Sequence, residues 1–249
     1  MSERAGNLPA SVSGDRRLLW LALAGAVTMF LVQPPADLWP LAWLAPLPWL
    51  WLIASPRLAG RRPWLTLWSA GLLHWLLVIH WLRLPHPATA IGWIALSAYL
   101  GGYLPLFVWS GRWLVHRWRW PLALAAPVAW VGSEQARGWV LGGFTFAGLG
   151  HTQWRWTTLI QCADAFGAVG VGGVVMAVAA GLATVARELM APAGDRRRGR
   201  LLVGAAVAAG VPALALGYGT WRLRPSRWRG TTTTSRQARS GSAERRSPT

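Results

Sequence analysis

Residues 127–153 read PVAWVGSEQARGWVLGGFTFAGLGHTQ, which places two charged residues near the end of an apolar helix. Glu134 and Arg137 are three residues apart, so they share one helical face and can neutralise each other. Unpaired charges in an apolar surrounding are costly. The pattern predicts an ion pair that tethers the helix end, and contact with a lipid head group is the alternative role.

Four glycines interrupt the apolar run after this pair: Gly142, Gly143, Gly148 and Gly150. They favour an irregular or re-entrant segment, which is tolerated at membrane depth only against protein or a watery cavity, and an ordinary exported loop is the alternative. His151 and Gln153 follow, close to Arg155. We expect both to be solvated, with phosphate binding as the alternative.

The next apolar run, LIQCADAFGAVGVGGVV at residues 159–175, carries a carboxylate, Asp164, near its start. Asp164 is a functional candidate because charged groups that enter a membrane span are costly, and capping of the helix is its simpler role. The glycines of this run, Gly167 and Gly170 among them, favour close packing of helices in lipid. We assign them a structural role.

The composition of the whole chain is that of a membrane protein. Of 249 residues, 53% are hydrophobic and 13% charged, and 20 are tryptophan. A membrane-spanning helix needs about 20 mostly apolar residues. Such runs occur at residues 18–33, 38–55, 64–82, 91–115, 121–140, 168–187 and 201–219. The sequence predicts an all-α bundle of about seven transmembrane helices, with a polar segment at residues 1–17 and the transmembrane domain at residues 18–220.

The 25 basic residues are all arginine and give a net charge of +17. They stand in short clusters between the apolar runs, where they can set membrane topology and meet anionic lipids, so we expect no nucleic-acid partner. With the N-terminus in the cytoplasm, the inner segments around the first six spans hold fourteen arginines and the outer loops three. Residues 221–249 break this pattern, and their Arg-, Ser- and Thr-rich sequence predicts a disordered tail.

No metal or cofactor site is expected. His74 and His80 are six residues apart and share a helical face poorly, so hydrogen bonds within the bundle are the simpler role. Cys162 is the single cysteine, and the sequence places no base beside it that would make it a nucleophile.

A combination of three blocks is more specific than any of these features alone: LVQPPADLWPLAWLAPLPWL at residues 31–50, AAPVAWVGSEQARGWVLGGFTFAGLGHTQ at residues 125–153, and LIQCADAFGAVGVGGVV at residues 159–175. In order and spacing they resemble the membrane domain of apolipoprotein N-acyltransferase. The resemblance covers about residues 18–220. It departs from the family at Thr145, where an aromatic residue is common, and at Gly172, where serine is common.

The resemblance implies transfer of an acyl chain from a membrane phospholipid to the N-terminal cysteine of a lipoprotein, at the bacterial inner membrane. The family's catalytic Glu, Lys and Cys lie in a nitrilase-like domain after the seventh membrane helix. This chain has no lysine and stops where that domain would begin, so we carry over no catalytic residue and expect a truncated member that is inactive alone. Its expected partners are membrane phospholipid and either a lipoprotein substrate or a separately encoded nitrilase-like domain.

The candidate contacts with lipid or substrate are therefore Glu134, Arg137, His151 and Gln153, and the candidate structural residues are Asp164, Gly143, Gly150, Gly167 and Gly170. The alternative function is that of a non-catalytic membrane protein that binds lipid or serves as a partner subunit.

Overall fold

The structure is a computed structural model that describes residues 10–224. Residues 225–249 of the predicted tail lie outside the described residues, whereas its first two residues, Trp221 and Arg222, belong to the last helix of the described chain and not to a disordered segment. Within the described part the chain is all-α, with no strand, which confirms the predicted fold class.

Nine α-helices make up the described chain: α1 (Ala10–Leu31), α2 (Leu47–Ala54), α3 (Pro63–Val78), α4 (Thr89–Gly101), α5 (Tyr103–His116), α6 (Leu122–Trp139), α7 (Thr157–Ile160), α8 (Ala163–Met190) and α9 (Arg198–Arg222). Short 3₁₀ turns occupy Trp39–Trp43, His80–Arg83, Val140–Gly142, Leu149–Gln153 and Ala193–Asp195. Prolines fit where the chain enters a helix: α3 begins at Pro63 and α6 follows Pro121, positions at which no intrahelical N–H bond is lost.

Three helical stretches are long and apolar enough to cross a membrane, namely Thr89–His116, Ala163–Met190 and Arg198–Arg222, of 28, 28 and 25 residues. The first of them joins α4 and α5. The other four predicted spans coincide with α1, α2, α3 and α6, which are shorter or less apolar. The chain is a membrane protein, and the count of seven spans stays a prediction.

The core of the bundle is built around α8, whose residues Val175, Met176, Ala179 and Ala180 are fully buried. Helix α8 packs on α6 along one side and on α9 along the other. Its contact with α9 is close at Gly181, where an added Cβ would lie 2.6 Å from the carbonyl oxygen of Gly204. Small residues permit such backbone approach in lipid, as the sequence predicts.

The bundle has two ends, which are defined by their connecting segments. We call "upper" the end that holds residues 32–46, 79–88 and 140–162, and "lower" the end that holds residues 55–62, 117–121 and 191–197. At the upper end the segments are tied together by an ion pair of 2.8 Å between Arg155 and Asp37 and by the hydrogen bond from Gln33 Nε2 to the carbonyl of Ala147, 3.2 Å.

At the lower end, three cationic or ionisable side chains hold the C-terminus of the short helix α2. Arg112 donates hydrogen bonds to the carbonyls of Leu52, Ser55 and Pro56, at 2.8, 2.6 and 3.1 Å. His116 bonds the carbonyl of Ile53 at 2.9 Å, and Arg187 donates to that of Ala54 at 3.3 Å. The carbonyls at the end of a helix lack intrahelical partners, and cations there complement the helix dipole.

Candidate functional site

The charged pair in the last turns of α6 is buried. Glu134 is 7% exposed and Arg137 5% exposed, and Arg137 Nη2 lies 3.6 Å from Glu134 Oε1. The guanidinium also lies over the ring of Trp75 on α3, 4.9 Å from its centroid. The predicted ion pair is therefore present. It is enclosed by neighbouring helices rather than standing at an open helix end.

Glu134 does more than neutralise Arg137. Its Oε1 accepts a hydrogen bond of 2.9 Å from the backbone N–H of Leu149, so it fixes the start of the 3₁₀ turn Leu149–Gln153. Its Oε2 is buried and accepts no hydrogen bond of good geometry from a described residue. The indole of Trp130 interacts with the same carboxylate. Helix α8 reaches this carboxylate through Gly172, where an added Cβ would lie 3.0 Å from Oε2.

A small cavity of about 50 Å³ adjoins the pair. Its walls come from α1, α2, α3, α5, α6 and the segment after α6, and include Trp75, Tyr103, Trp130, Ser133, Glu134, Arg137 and Ala147. A cavity of this size and polarity is large enough for a few water molecules.

The segment between α6 and the turn Leu149–Gln153 is irregular and strained. Leu141 and Ala147 have left-handed backbones, with φ of 53° and 54°, a conformation uncommon outside glycine. Gly143 has φ 81°, and a Cβ there would collide with the carbonyl of Gly138, so only glycine fits.

Part of this segment turns inward and part faces outward. Phe144 packs on Trp75 with ring centroids 5.8 Å apart, and Tyr99 Oη donates to the carbonyl of Val140 at 3.2 Å. Leu141 of the segment is 82% exposed, and Trp139, the last residue of α6, is 83% exposed. The segment is thus packed against α3 and α4, as the irregular interpretation of its glycines predicts, while its edge remains open to its surroundings.

A larger cleft of about 410 Å³ opens at the upper end on the other side of Ala147, which lines both spaces. The cleft is lined by Val32, Gln33, Pro34, Asp37, Thr145, Phe146, Ala147, His151, Thr152 and Trp154. The buried pair therefore does not line the cleft. It stands behind the cleft wall and holds that wall through Leu149.

The two polar residues of the turn differ from each other. His151 is exposed and its Nδ1 accepts a hydrogen bond of 3.2 Å from the N–H of Gly148. Partial burial and the charge of Arg137 lower the pKa of His151 below its ordinary value. Gln153 is 0% exposed, and its Nε2 donates to Thr152 Oγ1 at 2.9 Å. The expectation that Gln153 is solvated is wrong, because the turn carries it beneath the surface.

Asp164 lies in the first turn of α8 without capping the helix. Its Oδ2 accepts from Arg222 Nε at 2.6 Å and from Tyr218 Oη at 3.2 Å, which ties the start of α8 to the end of α9. The capping interpretation is therefore wrong, since no side chain caps this helix.

The glycines assigned a structural role serve in different ways. Gly150 meets α8 closely, since a Cβ there would strike the carbonyl of Ala168. Gly167 has φ 66° and ψ −178° and open space around it, so it bends the start of α8. At Gly170 an added Cβ would meet only Phe166 of its own helix. Close helix packing is the wrong account of Gly167 and Gly170.

Several residues of this region were not predicted as site residues. Asp37 and Gln33 flank the cleft, and their position beside the prolines that end the first apolar run was an available signal. Trp75, Tyr103 and Trp130 surround the pair, and their sequence positions gave no indication of this. Among the described residues no group of three His, Cys, Asp or Glu side chains stands close enough to hold a metal ion. His74 and His80 instead bond the carbonyls of Ala26 and Leu77, at 3.2 and 2.9 Å.

Residues 25–181, more than half of the chain, match the family model described as apolipoprotein N-acyltransferase N-terminal domain. Curated proteins named apolipoprotein N-acyltransferase are similar to it. That of Rhodopirellula baltica is 37% identical over 64% of this chain and 30% of its own length, and that of Chromobacterium violaceum 35% identical over 88% and 42%. That of Geobacter metallireducens is 30% identical over 70% and 34%.

This chain thus spans less than half the length of these relatives. The matched region includes the whole of α6, the buried pair and the wall of the upper cleft. The chain belongs to the apolipoprotein N-acyltransferase family and contains its N-terminal domain.

Proposed function

We propose that this chain forms the membrane half of an apolipoprotein N-acyltransferase of the bacterial inner membrane, with its N-terminus in the cytoplasm. In this role the upper cleft admits the phospholipid that donates the acyl chain, on the outer side of the membrane. The chemistry of transfer belongs to a nitrilase-like part that the matched N-terminal domain does not contain. The 249-residue chain alone is expected to transfer no acyl group.

The observation that carries this proposal is the construction of the cleft wall. A cleft of about 410 Å³ opens between segments at the upper end, and a buried ion pair fixes the backbone behind it. Buried charges in a membrane protein are costly and are usually functional or pairwise satisfied. Here Glu134 of the pair accepts a hydrogen bond from the backbone N–H of Leu149 and so fixes the turn that carries His151, which lines the cleft.

The residues have distinct roles in this proposal. His151 is a contact candidate because its ring lines the cleft. Glu134 and Arg137 are positioning residues, since they reach the cleft only through the segment 144–149. Gln153 supports the turn from beneath, where its amide bonds Thr152 and, at 3.4 Å, the carbonyl of Trp39.

A chimera tests the proposal. Residues 1–224 replace the matched region of the Chromobacterium violaceum relative, and the purified chimera is assayed for transfer from phospholipid to a diacylated lipoprotein peptide. Activity is expected. His151→Trp, which enlarges a side chain that lines the cleft, should lower kcat/KM for phospholipid by about tenfold, equivalent to about 1.4 kcal/mol, because the larger ring occupies space that the donor needs.

Thr157→Trp is the matched control, since Thr157 lies at the same end and does not line the cleft. Its activity should stay close to that of the unmodified chimera. A folded chimera that binds phospholipid but transfers nothing would favour the non-catalytic binding protein instead. Equal losses in both tryptophan variants would show that the cleft is not where the donor binds.

A further inference from the structure

A second cleft lies at the lower end, far from the segments that form the proposed acyl-donor site. Its volume is about 460 Å³, and it is lined by Asp15, Arg16, Leu19, Arg61, Arg62 and Thr66. Its walls are the start of α1 and the connection that leads into α3. Nothing in the proposed acyl transfer uses this cleft.

The positive charge in the cleft is left unsatisfied by the fold. Arg16, Arg61 and Arg62 are exposed, and among residues 10–224 none of their guanidinium groups forms an ion pair or a side-chain hydrogen bond. The one carboxylate, that of Asp15, already accepts the backbone N–H of Arg61 at 2.8 Å through Oδ1. Three cations against one engaged carboxylate make the cleft a site for an anion.

Exposed apolar side chains lie beside these arginines. Leu19, Trp20, Trp64 and Leu65 are all exposed on α1 and α3, and Trp20 is 70% exposed. Indoles and arginines that alternate with apolar residues at the ends of membrane helices mark the boundary between acyl chains and head groups. The surroundings therefore match a ligand that is anionic at one end and apolar at the other.

The basic surface continues next to the cleft. An adjoining pocket of about 180 Å³ is lined by Arg17 and Arg57 together with Leu18, Leu21 and Leu52. The loop around Gly60 separates the two spaces and packs on α1, since a Cβ on Gly14 would lie 2.8 Å from that of Ala59. Five arginines thus surround one short stretch of the lower end.

We propose that this lower cleft binds the phosphodiester head group of an anionic phospholipid, with the acyl chains lying along α1 and α3. Basic pockets between transmembrane helices on the cytoplasmic side suit such head groups, and each arginine near the surface strengthens the attraction. The lipid bound here is a structural lipid that takes no part in acyl transfer, and it is distinct from the donor lipid of the upper cleft. The proposal does not depend on the acyltransferase function.

The test measures lipid retention by native mass spectrometry. The purified full chain is titrated with phosphatidylglycerol or phosphatidylcholine in detergent at low ionic strength, and the wild type should retain phosphatidylglycerol preferentially. Arg61→Gln/Arg62→Gln should weaken that binding by about fivefold for each arginine removed. Arg61→Lys/Arg62→Lys keeps the charge and should retain most of the binding, which guards against loss of fold.

Arg117→Gln/Arg119→Gln is the matched control, because it removes the same charge from another connection at the lower end. Wild-type affinity is expected for it. Equal weakening in both glutamine variants, or no preference for phosphatidylglycerol in the wild type, would overturn the proposal. So would displacement of the lipid by millimolar inorganic phosphate, since that would make the cleft a site for a free anion.

Discussion

Replacing Glu134 by glutamine should destabilise the protein more than replacing Arg137 by methionine. In Glu134→Gln the new amide can still accept the N–H of Leu149, so the change removes charge and little else. Arg137 then remains charged, 5% exposed and without a counter-ion. The guanidinium of Arg137 cannot lose its proton and so stays charged in Glu134→Gln. In Arg137→Met, by contrast, the carboxylate of Glu134 can bind a proton and become neutral.

Magnitudes follow from the burial of both partners. Leaving one charge of a buried pair uncompensated costs about 3–5 kcal/mol. For a protein of this size that corresponds to a fall of roughly 6–20 °C in the midpoint of thermal unfolding. The double variant Glu134→Gln/Arg137→Met buries no charge, so it should unfold at a higher temperature than Glu134→Gln alone.

Thermal unfolding in detergent, followed by tryptophan fluorescence, measures all three variants. Asp164→Asn is the control, because Asp164 pairs with Arg222 and both side chains are more than one third exposed. Exposed pairs contribute little to stability, so its midpoint should shift by a few degrees at most. If Glu134→Gln shifts no more than this control, or if Arg137→Met proves the more damaging change, the account of the buried pair is wrong.

Two further predictions concern the turn behind the cleft. Gly150→Ala should destabilise by about 1–3 kcal/mol, because its Cβ would strike the carbonyl of Ala168, whereas Gly210→Ala in α9 has no atom within 4 Å to meet and should leave the unfolding midpoint unchanged or slightly higher. The stability contributed by His151 should be constant above about pH 6.5 and fall as the pH drops below it, since the pKa of the folded imidazole is lowered and the unfolded chain takes up the proton first. Unfolding midpoints between pH 8 and pH 5 should therefore decline less in His151→Gln than in the wild type, and an equal decline would show that His151 does not titrate as described.

The sequence predicted the parts of this protein that depend on local pattern. The lengths of the apolar runs predicted the helical segments, and the three-residue spacing of Glu134 and Arg137 predicted their ion pair. Both predictions depend only on the geometry of a single helix. The order of three motif blocks gave the family, which the comparisons confirm.

Contacts between segments distant in sequence were beyond that reasoning. Gln153 is polar and follows a glycine-rich stretch, which favours a solvated position, yet the turn carries it under Thr152. Asp164 finds its partner at Arg222, 58 residues away, and no local pattern identifies that pair. Gly167 shares the spacing of packing glycines, and only its positive φ distinguishes it as a bend.

The hydrogen bonds from Arg112, His116 and Arg187 to the end of α2 give two of the arginines at the lower end a structural role in addition to their effect on membrane topology. Arginines in cytoplasmic segments are normally interchangeable with lysine, since topology depends on positive charge alone. A guanidinium that serves three carbonyls through two nitrogens has a geometry that an ammonium cannot copy. Substitutions that replace Arg112 or Arg187 in order to change the topology would therefore also remove hydrogen bonds that hold the end of α2. Part of the +17 charge thus has a structural role as well as a topological one.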